Sequence, residues 1–315
     1  MNLITGQRIL SKLSNLGPGL SRSPLSTFRF VYDSFDRLFG SGSRSDVATE
    51  DRLVDVGGRE LGIRIYRPIK TVPKLTMVYF HGGGYVIGGF KSHHSFCCLL
   101  AGQAHINLIA VDYRLAPESP FPGPLQDGLD VWNWVTDHAV ELGIEQTKIG
   151  MGGDSAGGNL TAVLSMQTFA DLLEGDLSVA PAFQFLLYPW VDMSGESDSI
   201  QRFGKGLILT QETMTFFRDA YLPKALEPQA IKTSPMLCED MSSTPDTLIV
   251  TAEYDVLRDE GLAFVAKLQQ AQVSVSHIHL PDCTHGFIST GRFSPATRKR
   301  LNEVAGILTQ YAESI

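Results

Sequence analysis

The chain has 315 residues, 43% of them hydrophobic and 19% charged, an ordinary balance for a protein that buries a large core. Against 26 basic side chains stand 34 acidic ones, and the net charge of −8 argues against nucleic acid or an anionic membrane as partner. Four cysteines (Cys97, Cys98, Cys238 and Cys283) form no C-x-x-C pair and no ligand spacing, so neither a disulfide framework nor a metal is expected.

The first residues, Met1-Asn2-Leu3-Ile4-Thr5-Gly6-Gln7-Arg8, lack a charged start followed by an apolar core, so no signal peptide is expected. No apolar run is long enough to span a bilayer, and a soluble protein of a reducing cytoplasm is the expectation. Leu3, Ile4, Ile9, Leu10, Leu13 and Leu16 space as an amphipathic helix that ends before Gly17-Pro18-Gly19. Phe28, Val31, Tyr32, Phe35, Leu38 and Phe39 then recur at helical spacing up to Gly40. So dense an aromatic stripe needs a partner surface. Residues 1–45 are either a helix pair on their own domain or a cap over a site.

From about residue 50 the pattern changes. Leu53–Val56 and Leu61–Tyr66, separated by Gly57-Gly58, read as an antiparallel hairpin. Strands at 75–80, 107–111, 147–151 and 182–187 then alternate with helices at 92–103, 124–141 and 156–173. A further strand at 247–250 precedes a helix at 258–271, a strand at 273–280 and a C-terminal helix from about 295. This alternation predicts one elaborated α/β domain, a mostly parallel central sheet with helices on both faces. Residues 193–226 break the rhythm with a polar run, a helix start at Thr210-Gln211-Glu212-Thr213, and Phe216, Phe217 and Tyr221. They read as an inserted second piece of cap, the core being 46–192 and 227–315.

Two segments carry chemistry. The strand Val78-Tyr79-Phe80 runs into His81-Gly82-Gly83-Gly84-Tyr85, where glycines let backbone N–H groups approach a substrate. Such donors suit a tetrahedral oxyanion, each contributing about 3 kcal/mol to its transition state. Downstream, Gly152-Gly153-Asp154-Ser155-Ala156-Gly157-Gly158 holds G-x-S-x-G between a strand and a helix. That pattern forces the serine into a strained turn, with its hydroxyl in front of a helix N-terminus.

HGGG at 81–84, Asp112-Tyr113-Arg114-Leu115-Ala116-Pro117-Glu118 and GDSAGG at 153–158 resemble the hormone-sensitive-lipase branch of the α/β-hydrolases. The resemblance covers residue 50 to the C-terminus, and it implies the α/β-hydrolase fold, a helical cap, a Ser–Asp–His triad and no cofactor. Chain order puts the acid and then the base after Ser155. That order leaves His277, His279 and His285; the first two alternate within a strand, while His285 lies in the loop beyond, in the family's His-Gly-Phe context. For the acid, Glu253, Asp255, Asp259 and Glu260 compete. Asp259 and Glu260 fall inside a helix, with side chains expected along its surface. Asp255 matches the first aspartate of the family's D-x-L-x-D and is chosen, with Glu253 as the alternative.

Ala156, after the nucleophile, is the expected first oxyanion donor; the resemblance adds Gly83 and Gly84, with Gly82 close by. Asp154 is read as a support of the turn, Arg114 and Glu118 as a local pair, and His81 as a brace of the glycine loop. His93, His94, His105 and His138 are expected on helices or their ends, without assigned roles. The expected activity is hydrolysis of a small acyl ester of short to medium chain through an acyl-serine. An amidase or formamidase would use the same triad. A non-catalytic binding protein is the alternative from another class, although the triad histidine that the similar plant gibberellin receptor lacks is present here. Membrane insertion is not expected, and a homodimer is left open.

Overall fold

The computed structural model describes residues 3–14, 22–166, 176–193, 197–223 and 232–315. Burial sorts its strands. β1 (Val47–Asp55) exposes most of its side chains, and β2 (Glu60–Pro68) buries alternate ones. In contrast, β3 (Thr76–Phe80), β4 (Asn107–Asp112), β5 (Ile149–Asp154) and β6 (Phe183–Leu187) are buried almost throughout. A strand without a polar face is stable only between two covering layers, so these four take the middle of the sheet. β7 (Asp246–Tyr254) and β8 (Val275–Thr284) complete it, in the order β1-β2-β4-β3-β5-β6-β7-β8. β1 and β2 pair antiparallel, as do β2 and β4, and every later pairing is parallel. β8 runs on to Thr284, past the expected end at 280, and delivers the chain directly to His285.

One face of the sheet is covered by α3 (Phe90–Ala104) and α10 (Pro295–Ser314), which pack on Met77, Tyr79, Phe183 and Phe185. The other carries α4 (Gly123–Asp137), α6 (Ala156–Ser165) and α9 (Arg258–Gln270), over Val78, Phe80, Leu186 and Ile249. The helix expected over 124–141 breaks at His138, and a single turn, α5 (Ala139–Leu142), follows α4. α6 ends at Ser165, and residues 167–173 of its expected span, like the helix end expected at Leu16 and residues 194–196 of the polar run 194–199, lie outside the described residues. Cys97 and Cys98 are buried in α3. No described helix is long and apolar enough to cross a membrane.

The N-terminal residues form α1 (Thr5–Ser14) and α2 (Leu25–Phe39), and residues after 197 form α7 (Asp198–Phe203) and α8 (Gln211–Tyr221). α2 is held by three different interactions. Its Asp36 accepts hydrogen bonds from the backbone N–H and hydroxyl of Ser95 on α3, at 3.0 and 2.5 Å. Its Arg29 donates to the carbonyls of Val86 and Ala116 and pairs with Glu118 at 2.8 Å. Its Phe28 stacks on Phe217 of α8, with ring centres 6.0 Å apart.

Two local expectations are corrected here. Arg114 does not pair with Glu118: it binds Asp127, which is fully buried on α4 and is also held by Arg59, while Glu118 turns outward to Arg29. A buried carboxylate needs its countercharges more than an exposed one does. Glu260 does not follow the surface of α9 either; it is buried and accepts from the N–H groups of Val191 and Asp192, at 2.8 and 3.1 Å.

Replacing Asp36 tests how α2 is secured. Asp36→Ala removes the acceptor of the buried Ser95 hydroxyl, at a cost of about 1–3 kcal/mol. Thermal unfolding is expected at a Tm several degrees lower, and Asp36→Asn, which keeps an acceptor, should retain most of it. An unchanged Tm for Asp36→Ala would show that this contact contributes nothing.

Candidate active site

β5 ends at Asp154 and α6 begins at Ala156, leaving Ser155 alone to turn the chain. Its backbone is left-handed, at φ 54° and ψ −117°. A side chain at Gly153 would strike the carbonyl of Gly157, and one at Gly157 would strike the carbonyls of Phe80 and His81. Hence only glycine fits on either side of the serine. The strain is contained by hydrogen bonds from the neighbouring strand: Ser155 N–H donates to Leu187 O at 2.9 Å, and Trp190 N–H to Ser155 O at 3.1 Å.

Ser155, His285 and Asp255 come together from three strand ends. His285 Nε2 lies 2.9 Å from Ser155 Oγ, and His285 Nδ1 lies 2.8 Å from Asp255 Oδ2. Because a carboxylate only accepts, Nδ1 carries the imidazole proton and Nε2 presents its lone pair to the serine hydroxyl. Asp255 is buried, and its other oxygen accepts from Leu257 N–H at 2.9 Å, where α9 begins. Tyr188 packs its ring against His285, 4.5 Å between centres. Glu253 is engaged elsewhere, with Arg258 at 2.9 Å and His279 at 3.2 Å. His277 and His279 share Thr251 Oγ1 within the sheet.

The glycine loop faces the elbow. Gly82, grouped above with the oxyanion donors, has its N–H committed to Asp154 Oδ1 at 2.8 Å, so it holds the loop and is not a donor. Among the described residues the N–H groups of Gly83, Gly84 and Ala156 have no hydrogen-bond acceptor. Gly84 has φ +60°, and Phe217 of α8 fills the space a side chain would need there. His81 braces the loop through Gly82 O at 2.7 Å and stacks on Tyr113. Burial and the neighbouring His93 lower the His81 pKa to about 3, so it is neutral and donates through Nδ1. Among the described residues no group of three or more His, Cys, Asp or Glu could hold a metal ion.

Two residues support the site from outside the reacting groups: Asp154, expected to support the turn, and Gln7, which no sequence pattern marked. Asp154 joins the elbow to the glycine loop, taking Tyr79 O–H at 2.7 Å as well as Gly82 N–H. Gln7 of α1, fully buried, accepts from the N–H of Thr284 at 2.7 Å and so fixes the residue before His285. No local pattern marks it, since its partner lies 277 residues away.

The profile of the α/β-hydrolase fold family matches residues 77–289. The chain belongs to that family. This α/β-hydrolase is 35% identical over 277 residues to the ethyl acetate hydrolase of Pseudomonas putida, covering 87% of this chain and 86% of the relative. It is 33% identical over 269 residues to an arylesterase of Saccharolobus solfataricus, with 82% of each chain covered. Among solved structures it is similar to an ester hydrolase from the metagenome of Lake Arreo complexed with a bipyridine phosphonate derivative. The TM-score is 0.90 at 34% identity, over 98% of this chain and 99% of the other. A thermostable esterase from Pseudomonas putida ECU1011 gives a TM-score of 0.88 at 26% identity, over 98% and 97% of the two chains. The hormone-sensitive-lipase resemblance of the motifs agrees with these relatives.

Gln7→Ala orphans the Thr284 N–H and is expected to cost about 1–3 kcal/mol. Urea denaturation should show a lower midpoint with an unchanged slope. A wild-type midpoint would mean that α1 does not fix the histidine loop.

Proposed function

We propose that this α/β-hydrolase is a carboxylesterase acting on small acyl esters. The observation that supports it most is the hydrogen-bonded line Asp255–His285–Ser155 facing the unoccupied N–H groups of Gly83, Gly84 and Ala156. In the proposed mechanism His285 Nε2 takes the proton of Ser155 as Oγ attacks the acyl carbon. Negative charge then develops on the carbonyl oxygen, toward the three donors, which need no reorganisation to receive it. Collapse expels the alcohol with the proton from His285 and leaves an acyl-serine. Water, deprotonated by the same imidazole, attacks the acyl carbon, and a second collapse returns the acid and Ser155. Asp255 holds the imidazole tautomer and stabilises the imidazolium without taking its proton.

Residues 1–45 and 193–226 are proposed to act together as the cap. In support, Phe28 of α2 contacts both Phe216 and Phe217 of α8, Phe217 covers Gly84, and Tyr221 stacks on Tyr85 at 3.8 Å. An aromatic roof this close to the donors favours short to medium acyl chains. Each buried methylene contributes about 0.8 kcal/mol until the chain meets the roof.

Ser155→Ala, His285→Ala and Asp255→Asn should each lower kcat by about 10⁴-fold or more on p-nitrophenyl butyrate while the fold is kept. Glu253→Gln should stay within a few-fold of wild type; a large loss there with an active Asp255→Asn would reverse the acid assignment. Matched ester and amide substrates measure which bond is preferred, and faster amide turnover would overturn the ester reading.

Across p-nitrophenyl esters from acetate to palmitate, kcat/KM should rise and then fall, and Phe217→Ala should move the optimum to longer chains. A flat series in the intact protein would contradict the roof.

A further inference from the structure

A second Asp–His contact lies behind the glycine loop, outside the reacting groups. Asp154 is buried at the elbow, and its Oδ1 serves both Tyr79 O–H and Gly82 N–H. His93 of α3, equally buried, brings Nε2 to 3.3 Å from the same oxygen, an ion-pair distance rather than an aligned hydrogen bond. Nε2 faces a carboxylate, which only accepts, so Nε2 carries a proton. Nδ1 lies 2.9 Å from Ser92 Oγ, and that hydroxyl lies 3.1 Å from Gly89 O. A second ring proton at Nδ1 therefore finds an acceptor in Ser92 Oγ, with the Ser92 hydroxyl turned to Gly89 O, so the site can hold the imidazolium.

We propose that His93 is a positioning residue of this enzyme: its imidazolium neutralises Asp154, which keeps that carboxylate on the Gly82 amide and so holds the Gly83 and Gly84 donors in place. This rests on the esterase reading above, because it assigns those donors to the oxyanion.

The surroundings agree. A buried carboxylate is stable only when paired. Burial alone would push Asp154 up, but the charge and contact of His93, with the hydrogen bonds of Tyr79 and Gly82, hold it below the ordinary carboxylate range. Burial would lower His93, and Asp154 first, then Asp36, raise it above the ordinary histidine value instead. His93 is faced by Tyr32 of α2 at 6.2 Å and by His81 of the glycine loop at 5.4 Å. Asp33 and Asp36 of α2 lie within electrostatic range, and Lys91 and His94 flank it on α3. His81, whose ring packs against His93, is neutral.

The sign follows from the raised value. The stabilisation that the cation provides is complete below the ordinary histidine pKa, about 6.5, and is lost as pH rises through the folded-state value. Wild-type kcat should then fall on the alkaline side, as Asp154 loses its partner and the donors loosen.

The test uses the full chain and p-nitrophenyl butyrate, with wild type, Ser155→Ala, His93→Ala and His93→Gln. His93→Ala should lower kcat about 10- to 100-fold with KM within about twofold, the pattern of misplaced transition-state donors. His93→Gln, a neutral donor, should recover part of kcat and lack the alkaline limb. The second measurement needs only wild type: nitrogen-15 spectra of labelled histidine should show one imidazole that keeps both ring protons to a higher pH than free histidine does. It should titrate together with the alkaline limb. Wild-type kcat in His93→Ala, or no imidazole that holds both protons above the free-histidine range, would overturn the proposal. Loss of the esterase reading would look different, as turnover that persists in Ser155→Ala or is missing from wild type, and the spectra do not depend on turnover.

Discussion

Ser155 can hold a left-handed backbone only because its neighbours two positions away, Gly153 and Gly157, carry no side chains. Gly153 and Gly157 lie so close to one another, and Gly157 so close to the carbonyls of Phe80 and His81, that a methyl at either would force the turn open. The same closeness puts the elbow against the end of β3, where the glycine loop starts. Strain at Ser155 and proximity of the glycine loop are thus one packing constraint. The surrounding strands bear it: Leu187 and Trp190 bond the serine's own peptide groups, so the turn cannot relax without breaking the sheet.

From that point the site extends outward in two directions. Toward the sheet's edge, Asp255 follows β7 and is pinned by the Leu257 N–H just before α9, and His285 follows β8, with its preceding residue pinned by Gln7. Toward the interior, Asp154 points away from the chemistry and ties the elbow to Gly82. The carboxylate that holds the glycine loop is therefore the immediate sequence neighbour of Ser155. α3 connects this interior side to α2, since His93 and Ser95, two residues apart, reach Asp154 and Asp36 respectively.

The sequence reading succeeded where the signal is local. HGGG and G-x-S-x-G each describe a strand running into a tight turn, and strand–helix alternation is enough to give a mostly parallel sheet. Asp255 and His285, which the structure brings into line with Ser155, could be picked out because each directly follows the C-terminal end of a strand. What was missed depends on contacts distant in sequence. Gln7 has the composition of a surface residue on an amphipathic helix, yet it is buried against Thr284. Glu260 sits in the first turn of α9, where acidic residues are usually solvated, but the 191–192 backbone reaches it there. Arg114 and Glu118 are near neighbours in sequence, yet Asp127 and Arg29, brought in by α4 and α2, outcompete that pairing. Gly82 looks equivalent to Gly83 and Gly84 until Asp154 takes its N–H.

The central claim is that Ser155 becomes acylated in line with His285 and opposite the donors of the glycine loop and Ala156. Acid-quenching the enzyme during turnover of p-nitrophenyl butyrate, followed by peptide mass analysis, tests this most directly. The account predicts a butyryl group on the peptide carrying Ser155, formed and lost at rates that match turnover. Turnover with no acyl group on Ser155, or with the group on another residue, would contradict it.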